Sequence, residues 1–377
     1  MVGAGAGLAG LRLVQARGQE SLLAQGTDSR RADRLLAARP GVIRIDSNEN
    51  PHGPGRRVFA AIRDHLEESN RYPVRSEDDL AGAIAATHAI RPEQVILGSG
   101  SGELLRAAVS AWTAREKGLV SPEPTFEAPA NWARFIGSPV VAAPVDAELR
   151  IDLTALAERS RGAGLVYLCN PNNPTATALP AAEIAGFIGR VGQISPETVI
   201  LVDEAYFEYA ELPGYGTLIP QALTNPGVVV TRTFSKIFGM AGLRVGYAVG
   251  QPATLARMAV WLLGSNVSQL SLVAAEAAVA DRARIAEQQR RNRDTRAFTR
   301  GYFEQAGYRV ARADANFLMV DIRRDARKFK LDCLTHQVAV GRQFASHPTW
   351  TRVSIGTRPE METAVRVFGT VLGQGAG

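Results

Sequence analysis

The sequence contains only two cysteines, Cys169 and Cys333, in 377 residues. Their spacing matches no metal-binding or redox motif. No run of about 18 uncharged apolar residues occurs, which excludes a membrane-spanning helix on hydropathy grounds. Neither sign of charge dominates. Lys and Arg number 43 against 37 Asp and Glu, a net charge of +6. That modest excess, with no basic stripe interleaved with aromatic residues, argues against a nucleic-acid partner. The densest basic cluster, Arg290 to Arg296, reads as the solvated face of a long helix. Internal repeats are absent, and low complexity is confined to the amino-terminal arm. What remains is a globular chain, 46% hydrophobic, long enough for two domains.

One stretch, Val228 to Val249, concentrates chemistry. Two apolar runs with strand character flank a polar turn holding Thr233, Ser235, Lys236, Gly239, Gly242 and Arg244. A lysine near apolar strands tends to lose its proton, and a neutral amine attacks carbonyls. Hydroxyls, glycine amides and an arginine beside it make a phosphate cradle. Together they suggest a Schiff-base lysine next to a phosphate site, as pyridoxal 5'-phosphate (PLP) requires.

Elsewhere the pattern alternates short apolar strands with helices. Strands are expected at Gln94–Leu97, Gly118–Val120, Pro139–Ala143, Leu165–Leu168, Val199–Val202, Val228–Val230 and Val245–Val249. This order points to an α/β fold with a mainly parallel sheet covered on both faces. The polar motifs follow the strands, where ligands of such sheets bind. The turn Gly98 to Glu103 opens a helix and offers backbone amides to an anion. Asn173 lies in the turn after Leu168. Asp203 and Tyr206 follow Val202, and a carboxylate there suits a pyridine nitrogen that must stay protonated. Beyond Gln251 the pattern gives a helix over Pro252–Leu263, one long helix from Leu270 to Gln305, and shorter strands and helices to the end. Residues 1–40 read as an amino-terminal arm, 41–265 as a large domain and 266–377 as a smaller α+β domain. Within the arm, Ser29 to Ala38 reads as a short helix. Residues 1–16 form a flexible or helical arm or, alternatively, the remainder of an export signal; the arm reading goes with a cytoplasmic protein.

The motifs NENPHGP (48–54), RYP (71–73), GSGSGE (98–103), PTFEAP (124–129), NPNNPT (170–175), DEAY (203–206), TFSKIFGMAGLRVGY (233–247) and RVSIGT (352–357) follow one another in order. Through them the chain resembles the fold-type I, class I/II PLP-dependent aminotransferases, and most of all their histidinol-phosphate aminotransferase branch. The resemblance implies that Lys236 bonds the cofactor and shuttles a proton, and that Asp203 pairs with the ring nitrogen. It implies that Asn173 and Tyr206 hold the ring oxygen and that Phe126 stacks on the ring. Ser101, Gly102, Glu103, Thr233, Ser235 and Arg244 would bind the phosphate. Tyr72 would reach the phosphate of a neighbouring subunit, so a homodimer with shared active sites is implied. For the substrate it implies Arg352 as the anion clamp, with His52, Asn173 and Arg342 as further pocket residues.

Three positions depart from the family pattern: His52 for tyrosine, Gly102 for aspartate and Ala176 for glycine. The first weakens a transfer of substrate identity. The implied reaction moves an amino group from an amino acid or amino-alcohol phosphate, histidinol-phosphate-like or aromatic, to a 2-oxo acid by a ping-pong mechanism. Alternatives on the same fold are a decarboxylase, lyase or oxidase, or a non-catalytic PLP-fold binding protein. No metal is expected.

Overall fold

The computed structural model describes residues 39–373. The expected helix at Ser29–Ala38 and almost all of the arm lie outside the described residues. Among the described residues twelve strands run in chain order: β1 (Ile43–Ile45), β2 (Val95–Gly98), β3 (Leu119–Glu123), β4 (Val140–Pro144), β5 (Leu165–Cys169), β6 (Val199–Asp203), β7 (Val228–Thr233), β8 (Gly246–Val249), β9 (Arg309–Val310), β10 (Phe317–Asp321), β11 (Val338–Val340) and β12 (Trp350–Ser354).

Seven of them form one sheet in the order β2-β8-β7-β6-β5-β3-β4. All its neighbours are parallel except the two pairs made by β8. Strands β5, β6 and β7 are buried along their whole length. Their nearly continuous runs of Val, Leu and Ile, rather than an alternation, reflect helices on both faces. One face packs on Val58, Leu80, Ile84, Phe187 and Leu272, the other on Leu104, Leu105, Trp112 and Met258.

A second core gathers Phe303, Phe317, Phe329, Val338, Val353 and Phe368 around the sheet β12-β10-β9. Ile45 joins this core because β1 pairs in parallel with β11. The pairing ties the start of the described chain to its carboxyl-terminal part. The sequence gives no sign of β11, a three-residue VAV between a helix end and a loop.

The expected continuous helix 270–305 is two helices, Gln269–Ala280 and Arg282–Gln305. Asp281 separates them: it leaves helical geometry and its side chain accepts from Arg284 N at 3.2 Å, capping the second helix. The first packs on helices Arg56–Asp64 and Val74–His88, within the core of the large sheet. We therefore propose that the smaller unit begins at Asp281 rather than at residue 266. No described helix is long and apolar enough to cross a membrane.

Candidate active site

The carboxyl ends of β5, β6 and β7 deliver Asn170 to Thr175, Asp203 to Tyr206, and Thr233 to Lys236 to one place. Two loops are threaded over them. Asn50 Nδ2 donates to Ile237 O at 2.9 Å, which holds the NENPHGP loop on the lysine loop. The contact is close because both loops turn on glycine: a Cβ on Gly239 (φ 69°) would lie 2.4 Å from the Gly53 carbonyl. Thr125 Oγ1 donates to Asn172 Oδ1 at 2.7 Å, and Asn172 Nδ2 to Pro124 O at 3.0 Å. These bonds place the loop of Phe126, 37% exposed, beside the asparagine turn.

Lys236 Nζ donates to the Asn48 carbonyl at 3.1 Å. Desolvation, then the nearby Arg352 charge, lower its pKa to about 8, so a substantial fraction of the amine is neutral in mildly basic solution. Asp203 is buried and its pKa is pushed up to about 6 by desolvation; hydroxyls of Tyr167 (3.0 Å) and Thr231 (3.1 Å) counter the rise by donating to its two oxygens.

The hydroxyl of Tyr206 accepts from Asn48 Nδ2 at 3.0 Å, which leaves its own proton to be donated elsewhere. Burial raises the Tyr206 pKa, so the proton stays on. Asn173 Oδ1 accepts from Arg352 Nη1 at 2.7 Å. A guanidinium only donates, so this bond fixes the amide orientation and turns the Asn173 NH₂ the other way. Arg352 Nη2 donates to Asp46 O at 2.6 Å, while its buried Nε has no partner among the described residues.

The anion cradle gathers at the start of β8, between the turn after β2 and the loop after β7. Helix Ser101–Trp112 begins at the glycine turn, and its first amides have no intrahelical acceptor. Arg244 Nη1 donates to Ser235 Oγ at 3.1 Å, and Ser235 N to Thr233 Oγ1 at 3.1 Å. Arg244 lies so close over Gly100 that a Cβ there would be 2.1 Å from Nη2. The Glu103 carboxylate serves the turn rather than the cradle, accepting from Ser99 N at 2.7 Å and Asn266 Nδ2 at 2.5 Å.

Three expected site residues stand apart from this cluster. The His52 ring meets Arg291 Nη1 at 3.2 Å on helix Arg282–Gln305, and burial and the Arg291 charge lower its pKa. Arg342 pairs with Glu127 at 2.6 Å, at the rim, and covers Phe344 with its guanidinium 4.4 Å from the ring centroid. Tyr72 is 87% exposed.

Conversely, Asn48 was not singled out from its motif, yet it is the hub. It is buried at φ 54°, a left-handed conformation that asparagine tolerates better than most residues. Its carbonyl accepts from Lys236 and Asn316, and its side chain joins Tyr206 to Ser354. The asparagine-rich turn was the one available signal. Tyr167 was missed because a tyrosine inside an apolar strand reads as core.

Residues 40–368 match the family Aminotransferase class I and II. The histidinol-phosphate aminotransferase of Moorella thermoacetica is 33% identical over 337 residues, 88% of this chain and 86% of its own. That of Symbiobacterium thermophilum is 33% identical over 89% of this chain and 91% of its own. The crystal structure of histidinol-phosphate aminotransferase from Sinorhizobium meliloti in complex with pyridoxal-5'-phosphate superposes with a TM-score of 0.85 at 26% identity, covering 92% of this chain and 95% of that one. With a basic anion cradle, a buried carboxylate and a lysine of lowered pKa meeting at the strand ends, the residues present fit that cofactor. The chain belongs to the class I and II aminotransferases and is a PLP-dependent transaminase of the fold-type I architecture.

Proposed function

We propose that the enzyme takes the amino group from a donor of the histidinol-phosphate or aromatic amino-acid kind and passes it to a 2-oxo acid in a ping-pong cycle. The observation that supports this substrate class is the pair of guanidiniums of Arg342 and Arg352, both brought over the buried Phe344 ring at 4.4 and 5.9 Å from its centroid. Two neighbouring cations suit a donor carrying an anionic group such as a phosphate. The relatives named histidinol-phosphate aminotransferase point the same way.

In this reading Ser101, Gly102 and the start of the Glu103 helix, with Thr233, Ser235 and Arg244, would hold the cofactor phosphate. Asp203 would face its ring nitrogen, Asn173 and Tyr206 its ring oxygen, and Phe126 its face. When bound, PLP supplies an electron-withdrawing ring that acidifies the substrate Cα–H. Lys236 Nζ would take that proton from the substrate Cα and give it up again on the cofactor side of the shared nitrogen. The Asn48 carbonyl accepts from the same nitrogen and holds it 5.5 Å from the centroid of the Tyr206 ring. Arg352 would orient the donor through its Nε and Nη groups, exchanging its bond to Asn173 for the substrate anion.

We further infer a homodimer with Tyr72 contributed from a second copy. Tyr72, Val74 and Leu66 are exposed together near the ends of two helices, and Val260, Trp261 and Leu263 form another exposed apolar run. Such surface suits burial against a partner.

The test is a single half-reaction. The holoenzyme is mixed with each donor in the absence of acceptor, while the cofactor spectrum and the released aldehyde or 2-oxo acid are followed. Stoichiometric conversion by histidinol phosphate or an aromatic amino acid is expected. Conversion only by small donors with neither ring nor second anion would refute the substrate class.

A further inference from the structure

Tyr167 lies in the middle of β5, fully buried, with its hydroxyl 3.0 Å from Asp203 Oδ2. A phenol inside an apolar strand must place its O–H somewhere, and here the acceptor is the most consequential carboxylate of the site. On the other side of the same carboxylate, Thr231 of β7 donates to Oδ1 at 3.1 Å. Strands β5, β6 and β7 are adjacent and parallel, with Cys169 opposite Asp203 and Asp203 opposite Thr231. The carboxylate is thus gripped from both flanking strands by one donor on each oxygen. Each oxygen keeps a second acceptor site.

We propose that Tyr167 is a positioning residue for the cofactor ring: with Thr231 it fixes the plane of the Asp203 carboxylate and weakens its hold on a proton, so that the proton shared with the ring nitrogen resides on the ring. The inference rests on Asp203 facing that nitrogen. Its physical basis is competition. Burial alone drives a carboxylate towards the protonated form, and a protonated Asp203 cannot balance a charged ring. Two neutral donors favour the ionised form without adding a charge of their own. Tyr167 suits this role because burial and the adjacent Asp203 raise its own pKa, so it remains a donor and never competes as an anion. The other groups acting on Asp203 are Lys236, which favours its ionisation, and Glu204, which opposes it. Neither makes a hydrogen bond to the carboxylate among the described residues.

The test uses holoenzyme reconstituted with PLP labelled with ¹⁵N in the ring, whose nitrogen shift reads where the proton lies. Tyr167→Phe keeps the ring that fills the core and deletes only the donor. Losing one donor is expected to move the proton balance from ring towards carboxyl by roughly tenfold, about one pKa unit. The ¹⁵N signal then moves towards the unprotonated position, and kcat falls more than KM rises. Thr231→Val, deleting the opposite donor, should move the signal in the same direction and is read in its place if the Phe variant takes up no cofactor. An unmoved ¹⁵N signal in Tyr167→Phe, with or without a lower melting temperature, would show that the tyrosine is only packing and overturn the proposal. Asp203→Asn separates the two layers. A signal unmoved there removes the pairing of Asp203 with the ring, whereas a signal moved there and unmoved in Tyr167→Phe removes only the role of Tyr167.

Discussion

Two glycines of the anion cradle should respond in opposite ways to the same methyl group. Gly246 opens β8, which is hydrogen-bonded on both sides, to β2 and to β7, and so cannot shift. A Cβ at Gly246 would stand 2.3 Å from Ser101 N and 2.7 Å from Gly100 C, both backbone atoms. Carbon contacts settle near 3.5 Å, so the turn must retreat by roughly 1 Å. Overpacking of this kind costs about 1–3 kcal/mol of stability. A displacement of about 1 Å also takes an amide out of hydrogen-bonding range of a phosphate oxygen. Losing one such bond to a charged group is worth about 1.5–3 kcal/mol, or roughly 10- to 100-fold in PLP dissociation constant. A Cβ at Gly102, one residue into the helix, meets nothing within 4 Å. There alanine should stabilise the apoprotein by up to about 1 kcal/mol through helix propensity. Urea unfolding of the two apoproteins and titration of apo Gly246→Ala with PLP measure these effects. A Gly246→Ala protein that binds PLP as tightly as its parent would refute the close approach of turn and strand.

Other consequences are testable in the same preparations. The Lys236 pKa is lowered to about 8, so the rate at which the apoprotein captures PLP should rise with pH through a midpoint near 8, as the neutral amine forms. Replacing Arg352 by Gln removes a repelling charge and should move that midpoint upward; a midpoint at the ordinary lysine value in the parent would contradict the reading. Glu204 binds the buried Arg232 at 2.7 Å, with Glu208 3.7 Å away. Glu204→Ala should cost about 3–5 kcal/mol in urea unfolding, because it strands a buried cation. Glu304→Ala, which breaks the exposed pair with Arg300, should cost about 0.5 kcal/mol or less. Equal losses would count against the buried network. Finally, Glu127→Gln releases Arg342 from its 2.6 Å partner. The KM for a phosphorylated donor should fall about two- to fivefold, as an exposed ion pair of up to about 1 kcal/mol is lost, while the KM for a donor without a second anion stays put.

The sheet was legible because its strands are short, apolar and punctuated by the polar turns that carry the chemistry. Lys236, Asp203, Asn173 and Arg244 all belong to such turns. What escaped was long-range. Asn48 looks like any turn asparagine until Lys236, Tyr206, Ser354 and Asn316 are brought to it from positions 158 to 306 residues away for those that bond its side chain. The break at Asp281 was hidden by an unbroken helical composition on either side; only a capping bond, invisible to periodicity, ends one helix and begins the next. Strand β11 is too short to carry a period and exists because β1 supplies its partner.

The NENPHGP loop is fastened both to the carboxyl-terminal elements and to the lysine loop. Before Glu49, Ile45 sits in the carboxyl-terminal core and Asn48 is bonded to Ser354 of β12. After it, Asn50 is bonded to Ile237 and Gly53 abuts Gly239, both on the lysine loop, while Arg284 donates to the His52 and Gly53 carbonyls and Arg291 meets the His52 ring, both from helix Arg282–Gln305. Any shift of the carboxyl-terminal part therefore moves the loop on both sides of Glu49, and with it the Asn48 carbonyl that accepts from Lys236. The loop is thereby a mechanical linkage: if Arg352 holds the substrate as proposed, a pull on β12 would reach, through Ser354 and Asn48, the groups that hold the lysine.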